Sequence, residues 1–179
     1  AADARGTRRI RIWCAAASTG EEPYSIAMSV AEAIPDWERW DIRILATDLD
    51  TNVLQTCVNG VYGEDRVRGM QKSRLERFFT PVVTDGRRQY RVNPDLASMI
   101  TFRQLNLMDA LPMKVPIDIV FCRNVIIYFD KDTQRSLFTR IAPLQRPGDV
   151  LILGHSESLL QVSDAWTLMG KTIYRKSGS

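Results

Sequence analysis

Three short stretches of the sequence carry polar side chains of the kind that bind a small polar ligand. The first, residues 15–22, is a run of small residues that ends in Gly-Glu-Glu. The second is Asp48, and the third is Arg123-Asn124, with Tyr128 four residues further on. Carboxylate, guanidinium, amide and phenol groups all form hydrogen bonds with hydroxyl and carboxylate groups of ligands. The single histidine of the chain, His155, lies outside all three stretches.

Each stretch has both a ligand-binding and a purely structural interpretation. The small residues of the first let backbone N–H groups approach an anion at a helix N-terminus. They contain one glycine, so the three-glycine dinucleotide fingerprint is absent and a tight strand-to-helix connection explains them equally well. An acidic residue about 20 residues after such a turn commonly accepts hydrogen bonds from ribose. Asp48 lies 28 residues after Gly20, a somewhat longer spacing, and its alternative role is to cap the next helix, for which Asp50 is better placed. Arg123 needs a partner, either a ligand or a nearby carboxylate.

The elements that must position these residues follow a strand–turn–helix–strand order, which predicts a parallel sheet with right-handed crossovers. Ser18 or Thr19 is expected to cap the first helix. The predicted strands are Arg9–Cys14, Asp41–Ala46, Ile100–Gln104, Ile117–Cys122 and Val150–Gly154, and the predicted helices are 21–34, 51–59 and 130–141. A closing antiparallel hairpin is predicted from Trp166–Met169 and Thr172–Arg175. The fold class is therefore α/β.

The alternation of strands and helices breaks in the middle of the chain, where residues 61–99 are predicted to form an inserted module. A helix over 71–79 precedes a hairpin of Pro81–Val83 and Gln89–Val92. Between Val61 and Arg91 there are eight basic and four acidic residues, a local charge of +4. Such a surface binds an acidic protein, an anionic membrane or nucleic acid, or is simply solvated.

The composition is that of one globular domain of 179 residues, with 45% hydrophobic and 25% charged residues and a net charge of +3. No apolar run reaches the ~18 residues of a membrane-spanning helix. The three cysteines are isolated and in apolar contexts, which predicts reduced thiols in the cytoplasm. With one histidine, no metal site is expected.

Taken together, four motifs resemble the CheR-type chemotaxis receptor methyltransferases. They are residues 15–25 (AAASTGEEPYS), 46–50 (ATDLD), 121–129 (FCRNVIIYF) and 154–158 (GHSES), in family order between Arg9 and Tyr174. The resemblance implies a Rossmann-like class I methyltransferase sheet with a small inserted β-subdomain and a C-terminal antiparallel hairpin. It makes 1–179 the catalytic domain, without the N-terminal helical domain that family members usually carry, and 61–99 the subdomain.

The resemblance also implies a cofactor, S-adenosylmethionine, which leaves as S-adenosylhomocysteine, and a role for each matching residue. Glu21 and Asp48 would hold the cofactor, Asp48 through the ribose, while Asn106 and Leu107 lie beside the adenine. The residues expected nearest the reaction are Arg123, Asn124 and Tyr128. Arg123 and Asn124 would bind the cofactor, and Tyr128 and Arg123 would take part in catalysis.

The implied activity is methylation of glutamate carboxylates on the cytoplasmic domain of chemoreceptors, by a monomeric cytoplasmic enzyme that neither enters the membrane nor binds nucleic acid. The alternative is a signalling module that binds S-adenosylmethionine or the receptor without turnover. A serine hydrolase is disfavoured, because the nucleophile elbow needs glycine where Ser158 stands and a histidine after the serine. A base-methylating enzyme is disfavoured because Asn124 is followed by Val125-Ile126 instead of a Pro-Pro aromatic motif.

Overall fold

The computed structural model describes residues 6–178. The strands are β1 (Arg9–Cys14), β2 (Asp41–Asp48), β3 (Val61–Gly63), β4 (Phe79–Thr84), β5 (Arg87–Val92), β6 (Ile100–Gln104), β7 (Ile119–Cys122), β8 (Val150–Leu153), β9 (Trp166–Gly170) and β10 (Ile173–Lys176). The α-helices are α1 (Glu21–Ala33), α2 (Thr51–Asn59), α3 (Glu64–Val67), α4 (Lys72–Phe78), α5 (Pro94–Ala97) and α6 (Lys131–Ile141). The expected order of strands and helices is confirmed.

Seven strands form one sheet in the order β6-β2-β1-β7-β8-β10-β9. The first five are parallel, and β10 pairs antiparallel with both β8 and β9, which confirms the closing hairpin. From β1 the chain first builds outwards through β2 to β6, and then returns to the other side of β1 with β7 and β8. The strand order therefore reverses between β1 and β7, where ligands bind in open α/β sheets.

Both faces of this sheet are covered, which explains why its central strands are apolar runs. Successive residues of β1 point to opposite faces: Ile12 and Cys14 pack with α1, whereas Trp13 packs with α6. Each of these three side chains is at most 2% exposed. The helices are thus fixed against the strand that ends at the predicted site.

The inserted module is a three-stranded antiparallel sheet in the order β3-β5-β4. Its hairpin was predicted, but its third strand, Val61–Gly63, was missed because three residues are too few to show an alternating pattern. Tyr62, Phe79 and Tyr90 belong to the same hydrophobic cluster as the buried face of α1. The module therefore packs against α1, where the rings of Tyr24 and Tyr62 meet edge to face, and its status as a separate subdomain over 61–99 stays a prediction.

Several predicted boundaries change. β7 begins at Ile119 rather than Ile117, and β2 continues to Asp48, so this aspartate is the last residue of its strand. Neither Ser18 nor Thr19 caps α1, and that prediction is wrong. The N-cap is Gly20 with φ 100°, and a Cβ there would lie 2.4 Å from the Tyr62 hydroxyl oxygen. A side-chain cap is excluded because the module occupies that space.

Within residues 6–178, no helix has both the length and the apolar character needed to cross a bilayer. The same residues contain no group of three or more His, Cys, Asp or Glu side chains arranged to hold a metal ion.

Candidate functional site

The carboxyl ends of the parallel strands surround a cavity of about 290 Å³, called here the edge cavity. Three predicted cofactor residues, Asp48, Asn106 and Leu107, lie in its wall. The remaining lining residues are Ala15, Ala16, Leu49, Leu105, Met108, Val125 and Phe129. Residues far apart in sequence meet here because β1, β2, β6 and β7 are neighbours in the sheet. The wall is mostly apolar, with one carboxylate and one amide to orient a ligand.

The β1 loop, residues 15–20, reaches this cavity and is held mainly by side chains from other elements. The Ser18 N–H donates to Asp48 Oδ2 at 2.8 Å, and Ser18 itself has a φ of 48°. The Cys57 thiol donates to the Ser18 carbonyl at 3.1 Å, and the Tyr62 hydroxyl donates to the Thr19 carbonyl at 2.8 Å. The loop is therefore fixed by β2, by α2 and by the inserted module.

Asp48 thus has a structural task that the sequence did not indicate. Its Oδ2 binds the β1 loop, and its Oδ1 accepts the Asp50 N–H at 3.2 Å. The expected cap of α2 is confirmed as Asp50, whose Oδ1 accepts the Asn52 N–H at 2.7 Å. Each oxygen of a carboxylate has two lone pairs, so Asp48 retains acceptor capacity for a ligand hydroxyl.

The two glutamates that follow the β1 loop have different partners. Glu21 accepts from Arg66 at 2.8 Å and from the Thr19 hydroxyl at 2.7 Å. Glu22 forms an ion pair with Arg123 and also accepts from the Cys14 thiol at 3.4 Å. Glu22 is therefore the carboxylate that joins the first motif to the third. Sequence reasoning missed it because it could not tell which of two adjacent glutamates faces the sheet.

Glu21, Glu22 and Arg123 lie along a second, more open cavity of about 680 Å³ between α1 and the sheet, the α1 groove. The structure therefore divides the predicted cofactor residues, because Asp48 and its neighbours line the edge cavity instead. The ion pair to Glu22 is the structural alternative foreseen for Arg123. A guanidinium has five N–H donors, so Arg123 keeps donors for a second partner.

Two buried thiols underlie these contacts. Burial raises the pKa of the Cys14 thiol well above its ordinary value, and the negative charge of Glu22 adds to this effect. Burial likewise raises the pKa of Cys122, with further contributions from Glu157 and Glu22. Both side chains are therefore neutral thiols at physiological pH, and they act as packing groups rather than nucleophiles.

The β7 loop, residues 123–129, carries the remaining predicted residues. Asn124 is exposed with a φ of 56°, and Tyr128 ends a 3-10 turn with 79% of its surface exposed. Their side chains line neither the edge cavity nor the α1 groove, so their proposed roles stay predictions. The backbone of the loop, by contrast, is firmly held. Two buried side chains bind it: Glu157 accepts from its N–H groups and Gln134 donates to its carbonyls.

Six of the eight basic residues of the inserted module fall into two groups. Three of them bind α1: Arg66 pairs with Glu21, Arg74 with Glu32 at 2.9 Å, and Arg77 donates to the Ala31 carbonyl at 3.1 Å. The basic residues of β5 are exposed instead: Arg87, Arg88 and Arg91. Part of the local charge therefore attaches the module, and part remains on its surface.

With this geometry established, comparison with known proteins identifies the family. Residues 1–175 match the family described as CheR methyltransferase, SAM binding domain. The chain belongs to this family. It is 39% identical to a probable chemotaxis protein methyltransferase of Rhizobium etli over 173 residues, covering 96% of this chain and 65% of the relative. It is 38% identical to the chemotaxis protein methyltransferase of Escherichia coli, covering 97% of this chain and 60% of that one.

The chain thus spans about 60–65% of the length of these curated relatives. Among solved structures, the glycopeptide N-methyltransferase MtfA complexed with sinefungin is similar, with a TM-score of 0.50 and 16% identity over 85% of this chain and 45% of that one. This likeness supports the class I methyltransferase fold with its central mixed sheet.

Proposed function

We propose that the chain binds S-adenosylmethionine at the carboxyl edge of its sheet and methylates glutamate side chains of chemoreceptors. The products are a glutamate methyl ester and S-adenosylhomocysteine. The observation that carries this proposal is the edge cavity, where Asp48, Asn106 and Leu107 meet within a chain of the CheR family. The relatives named for chemotaxis support the choice of receptor as substrate.

The described residues fit the cofactor. Apolar side chains with one amide suit a flat base, and the unused lone pairs of Asp48 suit ribose hydroxyls. Asn106 and Leu107 would lie beside the adenine, and Arg123, Asn124 and Glu21 would hold the rest of the molecule. Because Glu22 bonds Arg123 directly, we add Glu22 to this set.

The chemistry requires little from the protein beyond placement. The bound cofactor supplies an activated methyl group on a positively charged sulfur. A glutamate acceptor, with a reference pKa of about 4.3, is already ionised at neutral pH, so no general base is needed. The residues of the chain must align the carboxylate oxygen and exclude water from it. Tyr128 is proposed to orient the acceptor through its hydroxyl, with Arg123 beside the reacting groups.

The partner follows from the same assignment. The proposed substrate is the cytoplasmic domain of a chemoreceptor, so we place this chain in the cytoplasm, acting as a monomer. We propose that the exposed arginines of the inserted module, Arg87, Arg88 and Arg91, bind an acidic protein surface rather than nucleic acid.

Calorimetric titration with S-adenosylhomocysteine tests the proposal. Asp48→Ala should weaken binding about tenfold or more, since a hydrogen bond to a charged acceptor contributes about 1.5–3 kcal/mol. Asp50→Ala is the matched control, because it removes the cap of α2 while leaving the edge cavity intact. It should lower the free energy of unfolding by about 1 kcal/mol and leave the affinity nearly unchanged.

Tritiated S-adenosylmethionine and receptor-containing membranes then test methyl transfer. Base-labile label on the receptor, dependent on the chain, is the expected result. Binding of S-adenosylhomocysteine without transfer would instead support a non-catalytic cofactor-binding module. Receptor association without any cofactor binding would overturn the methyltransferase assignment.

A further inference from the structure

Glu157 is a buried carboxylate whose two oxygens are both occupied by backbone N–H groups. It is 8% exposed. Its Oε1 accepts from Val125 at 2.9 Å and from Ile126 at 3.0 Å, and its Oε2 accepts from Asn124 at 2.9 Å and from Gly154 at 2.6 Å. Three of these four donors are consecutive residues of the β7 loop. The backbone there forms an anion-binding concavity, filled by a side chain of the same chain.

This arrangement compensates an unfavourable backbone conformation. Asn124 has a φ of 56°, in the left-handed region that residues other than glycine adopt as single, locally stabilised residues. In that conformation its N–H points the same way as those of Val125 and Ile126, towards Glu157. Removing the carboxylate would leave buried N–H donors without an acceptor, which is unfavourable in the folded state.

Gly154 makes the close approach sterically possible. A Cβ at this position would lie 2.6 Å from the carboxylate oxygen Oε2 of Glu157 and 3.1 Å from the backbone nitrogen of Asn124. The same residue closes a turn with its carbonyl, which accepts the Glu157 N–H at 3.1 Å. The end of β8 and the β7 loop can therefore share one carboxylate only because position 154 carries no side chain.

The loop that Glu157 holds forms part of the edge cavity, since Val125 and Phe129 lie in its wall opposite Asp48. The carbonyls of the same loop are held by Gln134, whose amide donates to Ile126 at 2.9 Å and to Phe129 at 3.0 Å. The N–H groups and the carbonyls of the β7 loop are thus fixed by different elements. A shift of the loop would change the shape of the cavity wall.

We propose that Glu157 is a positioning residue of the cofactor site: its carboxylate fixes the β7 loop so that Val125 and Phe129 complete the edge cavity. The residue acts through the loop and does not itself touch the ligand. This inference rests on the proposed function, which assigns the edge cavity to the cofactor.

Glu157→Gln is the discriminating variant, because a side-chain amide offers one acceptor oxygen and turns an NH₂ donor towards the other pair of N–H groups. The matched control is Asp149→Asn. Asp149 is 2% exposed and accepts the Arg146 N–H at 2.8 Å, but it precedes β8 and so lies at the opposite edge of the sheet. Both variants should lower the unfolding midpoint. Only Glu157→Gln should weaken S-adenosylhomocysteine binding, about tenfold, when measured well below both midpoints.

Unchanged affinity in a folded Glu157→Gln variant, with the wild type binding normally, would overturn this inference alone. Failure of the wild type to bind S-adenosylhomocysteine would overturn the proposed function as well. If Glu157→Gln does not fold, Gly154→Ala gives a second test, because it retains the carboxylate but displaces it. Weaker binding by Gly154→Ala supports the inference, and wild-type affinity contradicts it.

Discussion

The β1 loop and the β7 loop leave neighbouring parallel strands at the same edge of the sheet, yet they are held in different ways. Each contains a non-glycine residue in the left-handed region, Ser18 with φ 48° and Asn124 with φ 56°. The β1 loop is held in part by Asp48, which is also a proposed ligand of the cofactor. The β7 loop is held by Glu157, a buried residue that accepts hydrogen bonds from the loop backbone.

This difference determines what a substitution measures. At Asp48, positioning of the loop and the proposed binding of the cofactor reside in one side chain, so a single variant would lose both. At the β7 loop the two tasks are assigned to different residues, since Glu157 holds the backbone while Arg123 is the residue proposed to contact the cofactor. The β7 loop therefore allows positioning to be tested separately from contact with the ligand.

The largest expected effect comes from two glycines, Gly20 at the end of the β1 loop and Gly154, which packs against the β7 loop. Gly20→Ala should destabilise the fold by about 3 kcal/mol or more, because φ is 100° and the added Cβ would lie 2.4 Å from the Tyr62 hydroxyl oxygen. Gly154→Ala should cost less, since its φ is not in the left-handed region and only the contacts of the added Cβ with Glu157 and the Asn124 backbone oppose it. Urea unfolding of both variants checks the order, and a reversed order would contradict the steric argument.

The next effect should appear in turnover and tests whether the β7 loop serves the acceptor. Tyr128→Phe removes a hydroxyl from an exposed residue of this loop, so cofactor affinity should be nearly unchanged. Turnover of receptor methylation should fall about tenfold or more, the value of one lost hydrogen bond in the transition state. Collapsed affinity for S-adenosylmethionine with normal turnover at saturation would make Tyr128 a binding residue instead.

The same two loops show which parts of the site the sequence predicted and which it did not. The strands, the cap at Asp50 and the grouping of Asp48 with Asn106 and Leu107 followed from local patterns and from the family resemblance. The hydrogen bonds between the β7 loop and Glu157 did not follow from such patterns. Glu157 is 33 residues from Asn124, and only the pairing of β7 with β8 brings them together. Non-local hydrogen bonds of this kind leave no periodic signal.

The choice between Glu21 and Glu22 shows a second limit. Adjacent residues of a helix point about 100° apart, and the packing of α1 on the sheet decides which of them turns inwards. The sequence placed Glu21 in the site, whereas the structure pairs Glu21 with Arg66 and Glu22 with Arg123. A pattern of residues identifies the turn of helix, but the orientation of the helix comes from tertiary contacts.

The Glu22–Arg123 ion pair links the first turn of α1 to the β7 loop and offers a smaller, quantitative test. Both side chains are partly exposed, 21% and 35%, so the coupling free energy should be about 1 kcal/mol, less than that of a fully buried pair. A double-mutant cycle of Glu22→Gln and Arg123→Met, followed by urea unfolding, measures it. Strictly additive effects would show that the pair contributes nothing to joining α1 and the β7 loop.

The smallest expected effect lies at the end of the β7 loop, where Asp130 caps α6. Its Oδ1 accepts the Thr133 N–H at 2.8 Å, and this backbone hydrogen bond holds the carboxyl pKa below its ordinary value. A lowered pKa in the folded state means that the ionised form stabilises the fold above the ordinary carboxyl pKa, about 3.9, and that this contribution is lost as the pH falls through the folded value.

Asp130→Asn isolates this contribution, because asparagine caps helices about as well as aspartate but does not titrate. The free energy of unfolding of the wild type should exceed that of the variant at pH 7, and the gap should close as the pH falls through the lowered pKa of Asp130 in the folded state. Affinity for S-adenosylhomocysteine should not change, since the cap lies outside both cavities. A gap that stays constant across this range would show that the charge of Asp130 is not what stabilises the start of α6. A loss of affinity would instead show that the Asp130 cap also helps to hold the β7 loop in position.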